Sequence, residues 1–508
     1  MKGGSTMKKR NLTTVILLAA MLVSCGSGTG TSDTTESVTG GETSNFTEVT
    51  SKERDSLPEL DFGGEEVTFL CRTGNVSELY APEENGDIVN DAIYRSRVSV
   101  EERLKVKFDI VERAGTSPGE RSEYANHLSQ TAMAGDDTYD WAEMMVSVYP
   151  SIIPEGILTD LSDAEYIDTE RSWWAGDIKE QASLGGALYF LVGEYSTGYL
   201  SDAFCVYFNK QLFENYKLEN PYALARSGDW TLDKLIEMSA AAAEDLNGDG
   251  RYDYEDKLGF VVHDKYHLCG FMASNEVDPF TRSGDDFIYT FGTEHDFDVV
   301  SKMYKLLFET DGGFLFDGAK TISSDVGDYN RLTSKFASGE VLMMTAQMGD
   351  AISDLRDMKQ DYGILPYPKY DKAQKNYRTA SRTTHSAISM PVTCSDQDKA
   401  FATLEALAAA NHELVIPTYF ETALKTKYSR DDESAEMYDL ILESLSMSHG
   451  YLYNNSTILD GEITQSPVEL FIDGLKNPTT FLSSCAARKN VSSNSYKLFL
   501  ETIIDANK

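Results

Sequence analysis

Cysteine is scarce in this chain, six in 508 residues. Five follow position 25: Cys71, Cys205, Cys269, Cys394 and Cys485. Their number is odd and no pair has CxxC spacing, which excludes a disulfide framework and leaves a single bridge open. Cys71 and Cys205 sit in apolar, strand-like runs and read as small buried hydrophobes. Positive charge is also short, 45 Lys and Arg against 82 Asp and Glu, for a net charge of −37. The acids are spread along the chain, so a phosphate backbone would be repelled and nucleic acid is excluded as a partner. Beyond the N-terminal region no apolar run reaches the roughly 20 residues a membrane helix needs. Catalytic signatures are missing too: no GxSxG, no HExxH, no glycine loop for phosphate, no cysteine in a nucleophile's context. A glycosidase carboxylate pair stays open, because its geometry is invisible in so acidic a sequence.

The first sixty residues carry an export pattern. Lys8, Lys9 and Arg10 form a basic start, and Leu12 to Val23 an apolar stretch too short to span a bilayer comfortably. Leu22-Val23-Ser24-Cys25 follows and resembles the lipobox of bacterial lipoproteins. That resemblance implies a signal peptide over 1–24, cleavage before Cys25, and a diacylglycerol thioether on its sulfur. A plain secretory signal with a chance cysteine is the alternative. Residues 25–58 are Ser, Thr, Gly and Glu with almost no apolar side chains. They cannot bury a core and read as a disordered tether, with a reach of about 30 Å.

From Val67 the pattern becomes globular. Val67–Cys71 reads as a strand, and Ile88–Leu104 as a helix with Val89, Ile93, Val100 and Leu104 on one face. Val106–Ile110 alternates as a strand, so the unit is strand, helix, strand and implies a parallel sheet. A second helix carrying Tyr124, Leu128 and Ala132 leads into a strand at Trp141–Val146. Further on, Thr231 caps a helix bearing Leu232, Leu235 and Ile236. Leu258–Val262, Val341–Thr345, Asp361–Pro368 and Ala387–Pro391 read as strands, and Asp398–Ala409 as a helix. Trp141 and Trp230 read as core.

Between these halves lies Leu188–Asn209, two aromatic-rich apolar runs around a polar loop with Glu194, Tyr195, Ser196, Tyr199 and Asp202. Two readings fit it. Leu188–Val192 and Ala203–Phe208 are paired strands of one hairpin, or the segment crosses between two α/β lobes and lines the cleft between them.

The ordered series of segments favours the second. Ala134-Gly135-Asp136-Asp137 with Tyr139-Asp140, Gly156–Leu161, Leu188-Tyr189, Tyr207–Lys210, Gly228–Asp233, Phe336–Glu340, Tyr362–Pro368 and Leu404–Ala406 follow one another over about residues 65–410. This order and spacing resembles the family 1 extracellular solute-binding proteins of ABC importers. Pro417–Arg430 is similar to a carbohydrate-type subgroup. The resemblance implies an α/β, two-lobed type II periplasmic-binding-protein-like fold with a ligand cleft between lobes. Lobe 1 would hold 59–192 with 380–412, and lobe 2 193–379 with 413–508. Crossings would fall near Leu191–Tyr195, Pro366–Arg382 and Ala409–Ile416, with insertions around 245–330.

Asp245, Asn247, Asp249, Arg251 (through its carbonyl), Asp253 and Asp256 are spaced as in an EF-hand or dockerin-type loop, with Gly250 sixth. Alternating oxygens of this kind wrap calcium, as a structural staple; Asp at the last position reaches less far than Glu. An acidic turn is the alternative. His263, His267 and Cys269 raise zinc, but histidines four apart need a helix where a strand is expected.

A sugar site needs aromatic faces for pyranose rings and planar polar groups for hydroxyls. Family position offers Arg72, Thr73, Ser147, Tyr149, Trp173, Trp174, Glu194, Tyr195, Gln347, Arg382 and Tyr419 as substrate-binding candidates, with His385 beside Arg382. Each alone also fits packing or surface. The expectation is a monomeric, lipid-anchored receptor on the outer face of a bacterial cell membrane. It would capture a carbohydrate, with an oligosaccharide expected, and deliver it to ABC permease subunits. A secreted glycan-active enzyme and a surface adhesion or scaffold lipoprotein are the alternatives.

Overall fold

The structure, a computed structural model, describes residues 54–284, 286–315, 326–356, 358–420, 432–454 and 466–506. The signal peptide, Cys25, most of the tether and positions 421–430 of the carbohydrate-type segment lie outside the described residues.

Strand β1 (Glu65–Arg72), helix α1 (Ile88–Leu104) and strand β2 (Val106–Arg113) form the expected unit. The α1 N-terminus is set by Asp87, whose carboxylate accepts the backbone N–H groups of Val89 and Asn90 at 3.0 and 3.1 Å. It stops where Lys105 turns left-handed, φ 54°. Ile93, Val100 and Leu104 are buried on one face. Each such burial is worth roughly 1.5–3 kcal/mol, against about 1 kcal/mol for the cap, so packing holds the helix and the cap fixes where it begins. β1 and β2 pair in parallel along their full length. Helix α2 (Pro118–Met133) opens with a Ser117–Glu120 capping box, and β3 (Trp141–Met145) pairs in parallel with β1.

The remaining strands are β4 (Phe204–Asn209), β5 (Leu258–Val262), β6 (Phe280–Ser283), β7 (Asp286–Tyr289), β8 (Gly313–Leu315), β9 (Val341–Gln347), β10 (Tyr362–Leu365) and β11 (Ser386–Ser389). They complete two mixed sheets, ordered β11-β3-β1-β2 and β10-β4-β9-β5-β8, and a small β6-β7 hairpin within the expected insertion region. β11 and β4 run against the other strands of their sheets. Contacts tie residues 53–508 into one unit.

The chain leaves the first sheet after Leu191, which bridges Ile388 of β11, and enters the second at Phe204. It returns between Leu365 and Ser386. The segment is therefore a crossing and not a hairpin. Leu188–Val192 is not the regular strand its composition suggests. Only Leu191 exchanges backbone bonds with Ile388, at 2.8 and 3.0 Å, while the Leu188 and Val192 carbonyls serve Leu161 and Ala175 in loops. Trp141 and Trp230 are fully buried, their indoles donating to the carbonyls of Ala400 and Pro366.

Candidate functional site

In both sheets the parallel strands deliver their carboxyl ends to one edge, which is where open α/β sheets bind ligands. In the first sheet that edge carries Arg72, Ser147 and the start of β11. In the second it carries Asp264, Gln347 and the start of β4, with Asp202 just before it.

A polar network runs along these edges. Arg72 pairs with Glu143 of β3 at 2.5 Å, both about 1% exposed. Its Nη2 also donates to Ser386 Oγ at 3.0 Å, and Ser386 donates on to Glu78 at 2.7 Å. Burial, and then the nearby Glu143 charge, push the Glu78 carboxyl up to about 7. Asp202 accepts the Thr384 hydroxyl at 2.8 Å and the Gln347 amide at 2.9 Å. Arg382 reaches Gln347 at 3.3 Å and Asp264 at 3.2 Å. Burial works to raise the Asp264 carboxyl, but its hydrogen bond to His267 and the charges of His267 and Arg382 more than offset it and hold it low.

Against this network lies a cavity of about 380 Å³, within the range of small-molecule sites. Its walls include Ser147 after β3, Arg121 of α2, Lys265 and Tyr266 after β5, Thr383 on the return crossing, and Glu469. Tyr266 leaves 47% of its surface open. Lys265 Nζ and Arg382 Cζ each stand 5.3 Å from its ring centre. A partly exposed aromatic ring beside hydroxyls, an amide network and cations can contact a flat ring and hydrogen-bond its rim.

The sequence candidates divide between this site and the interior. Ser147 and Arg382 line the cavity; Arg72 and Gln347 belong to the network beside it. Thr73 is exposed and extends β1 by one bond to Arg113. Tyr149 is fully buried, stacked on Phe190 at 4.4 Å, its hydroxyl donating to Ala387 O at 3.0 Å. Tyr195 is also fully buried, so neither ring has a face open to a ligand in this structure. Trp173 and Trp174 are buried and donate to the two oxygens of Glu405 at 3.2 and 2.9 Å. Burial pushes Glu405 up to about 7. The two tryptophans line a separate cavity of about 190 Å³ with Glu194, which bonds His412 at 2.7 Å. Gly193 is required here: a Cβ would meet the Trp173 carbonyl at 2.5 Å. Tyr419 is buried against Phe420. His385 is buried, its ring on the Arg382 carbonyl at 2.7 Å.

Tyr266, Lys265 and Arg121 were not singled out from sequence, and Asp202 was named only as part of the crossing segment expected to line the cleft. The available signal was position: the first three fall just past a strand's carboxyl end or on the helix after one.

In the acidic loop, both carboxylate oxygens of Asp245 accept backbone N–H groups, of Gly248 at 2.7 Å and Gly250 at 2.8 Å. Asp256 is fully buried and accepts from Leu246 and Asp253, each at 2.9 Å. Gly250 takes φ 78°, which a side chain would strain. The oxygens are hard donors suited to calcium, yet among the described residues no group of three or more His, Cys, Asp or Glu side chains converges to hold a metal ion. His263 and His267 lie with rings 5.5 Å apart and bond protein groups.

The model of bacterial extracellular solute-binding proteins matches residues 116–411, more than half of the chain. The chain belongs to the bacterial extracellular solute-binding protein family. It is thus a binding receptor, and among the described residues no helix is long and apolar enough to cross a membrane. No curated protein matches it in sequence. Solved structures share the fold. The galacto-N-biose/lacto-N-biose I-binding protein of the Bifidobacterium longum ABC transporter, in complex with lacto-N-biose, has a TM-score of 0.54 at 12% identity, covering 86% of this chain and 98% of that one. A cyclo/maltodextrin-binding protein complexed with maltotetraose gives 0.53 at 11%, covering 86% and 97%. A sugar transporter protein from Rhizobium etli in an open conformation gives 0.52 at 14%, covering 86% and 99%.

Proposed function

We propose that this solute-binding protein captures a carbohydrate between the carboxyl edges of its two sheets and passes it unchanged to the permease of an ABC importer. The observation that carries the reading is the cavity beside the edge network, with the open Tyr266 ring on its wall. Solved neighbours of the same fold holding lacto-N-biose and maltotetraose support a sugar as the ligand class. The crossings at 192–203 and 366–385 support two lobes, 59–192 with 380–412 and 193–379 with 413–508, that close on the ligand. A ligand touching both walls favours the closed state by its differential affinity, and that state is what a permease would read. Lipid on Cys25 and the tether after it would hold a monomer at the outer face of the membrane; a diacylglyceryl group supplies two buried chains. Calcium in the 245–256 loop would brace the second lobe, if the cation gathers carboxylates now turned to backbone amides.

The test is a thermal-shift screen of oligosaccharides followed by calorimetry and scattering. Saturable binding, compaction and recovery of intact sugar are expected. Absence of any sugar ligand, or recovery of cleaved sugar, would reject the reading. Cys25→Ala should release the protein from membranes; a variant that stays bound, with no lipid mass on the wild type, would reject the anchor.

A further inference from the structure

The charge on the cavity wall is opposite to that of the chain. With 82 acids against 45 bases, a wall drawn at random would carry about two carboxylates per cation. Among the described residues this wall carries Arg121, Lys265 and Arg382 against one carboxylate, Glu469. That carboxylate is engaged elsewhere: in the capping box of the helix Pro467–Lys476 it accepts the Ser466 N–H at 3.3 Å.

The cations are not equally committed. Arg382 is paired with Asp264. Arg121 spends its Nε on the Thr116 carbonyl at 2.9 Å and has no carboxylate partner among the described residues. Lys265 lies over the Tyr266 ring, again without a carboxylate partner among the described residues. Both are half-buried. Burial holds Arg121 below its ordinary value, with Arg72 and Arg382 adding like-charge repulsion. Half-buried cations left uncompensated beside other cations cost free energy, and an anion placed among them recovers it. The −37 of the whole chain does not cancel this, because exposed charges beyond about 8 Å are largely screened.

We propose that the ligand of this cavity is an anionic carbohydrate, a sugar bearing a carboxylate or sulfate group that Arg121 and Lys265 hold while its ring lies on Tyr266. The proposal rests on the carbohydrate reading above and names the class of sugar within it. Arg121 supplies planar paired donors suited to a carboxylate, and Lys265 a compact point charge beside the Tyr266 ring.

Calorimetry on the full chain with three probes tests it: a galacturonate trimer, a sulfated disaccharide, and neutral maltotetraose. At least one anionic probe should bind about ten- to a hundredfold tighter than the neutral one, as hydrogen bonds to charged groups allow. Its affinity should fall as salt rises. Arg121→Gln and Lys265→Gln should each reduce that affinity about tenfold with the melting temperature held. The Lys265 side chain bonds no backbone group among the described residues, so its variant remains informative if Arg121→Gln folds poorly. Maltotetraose binding as tightly as the better anionic probe, or that probe's affinity unchanged by Lys265→Gln, would overturn the proposal and leave the carbohydrate reading standing. No binding in any arm would overturn both.

Discussion

Thr384 donates its hydroxyl to Asp202 across 2.8 Å, and the two residues lie on the two chain segments that pass between the sheets. The backbone N–H of Arg382 adds a bond to the Asp202 carbonyl at 2.9 Å. One aspartate thus ties the outgoing crossing to the returning one. The lobe movement proposed above would have to pivot around this bond or break it.

The Asp202 carboxyl is raised to about 6 by burial, from 3.8 in the unfolded chain, although Thr384, Arg382 and Arg72 work to lower it. The folded state then keeps a proton the unfolded chain has lost, so this group's contribution to stability falls as pH rises from about 4 to about 6. Asp202→Asn should flatten that part of the melting-temperature profile and keep an oxygen for the Gln347 amide. Calorimetric scans across this window check it; a variant with the wild-type slope would show that Asp202 does not titrate as the geometry requires.

Removing the open ring and removing a buried one should have opposite signatures. Tyr266→Ala should weaken sugar binding about tenfold, by loss of stacking area, and leave the melting temperature nearly unchanged. Tyr195→Ala should cost roughly 3–5 kcal/mol of stability, because the ring is wholly enclosed. Denaturation beside calorimetry separates them. A stable Tyr195→Ala protein that has lost its ligand would reverse the assignment.

Glu405 holds two buried indoles at once. Glu405→Ala should cost roughly 2–4 kcal/mol, since it strands both N–H donors and opens a cavity. Glu405→Gln keeps one acceptor and should cost less. Urea unfolding ranks the pair; Glu405→Gln costing as much as Glu405→Ala would overturn this expectation.

For the acidic loop the informative quantity is the response to calcium. Asp245→Ala with Asp249→Ala removes turn bonds to Gly248, Gly250 and Arg251, so the variant should melt lower in any buffer. If the loop binds calcium, wild type alone should gain further melting temperature in millimolar calcium, by mass action. Elemental analysis finding no calcium in wild type at that concentration would end the idea.

Legibility in the sequence was uneven for physical reasons. The bounds of α1 could be read from its apolar face, Val89, Ile93, Val100 and Leu104; the structure adds the Asp87 cap that starts it and the left-handed Lys105 that ends it. The strand reading of Leu188–Val192 failed because its composition is that of buried chain, while only one of its residues finds a paired neighbour. Ser147 and Arg382 were legible by their position at strand ends and on a crossing. Tyr266 was not, since it becomes a cavity wall only when the return crossing lies against the loop after β5. Tyr149, Trp173 and Tyr195 show the converse: an aromatic residue reads alike as a platform or as core until the neighbours around its ring are known.

The late arrival of β11 sets an order of events during biosynthesis. Tyr149 closes its hydroxyl bond on Ala387, 238 residues further along the chain. The first sheet therefore lacks its edge strand, and the core beneath Tyr149 its lid, until synthesis has passed that point. Closing so long a loop is slow compared with local helix formation. A polypeptide built this way stays incompletely folded while most of it is made, the condition an export channel requires of its cargo.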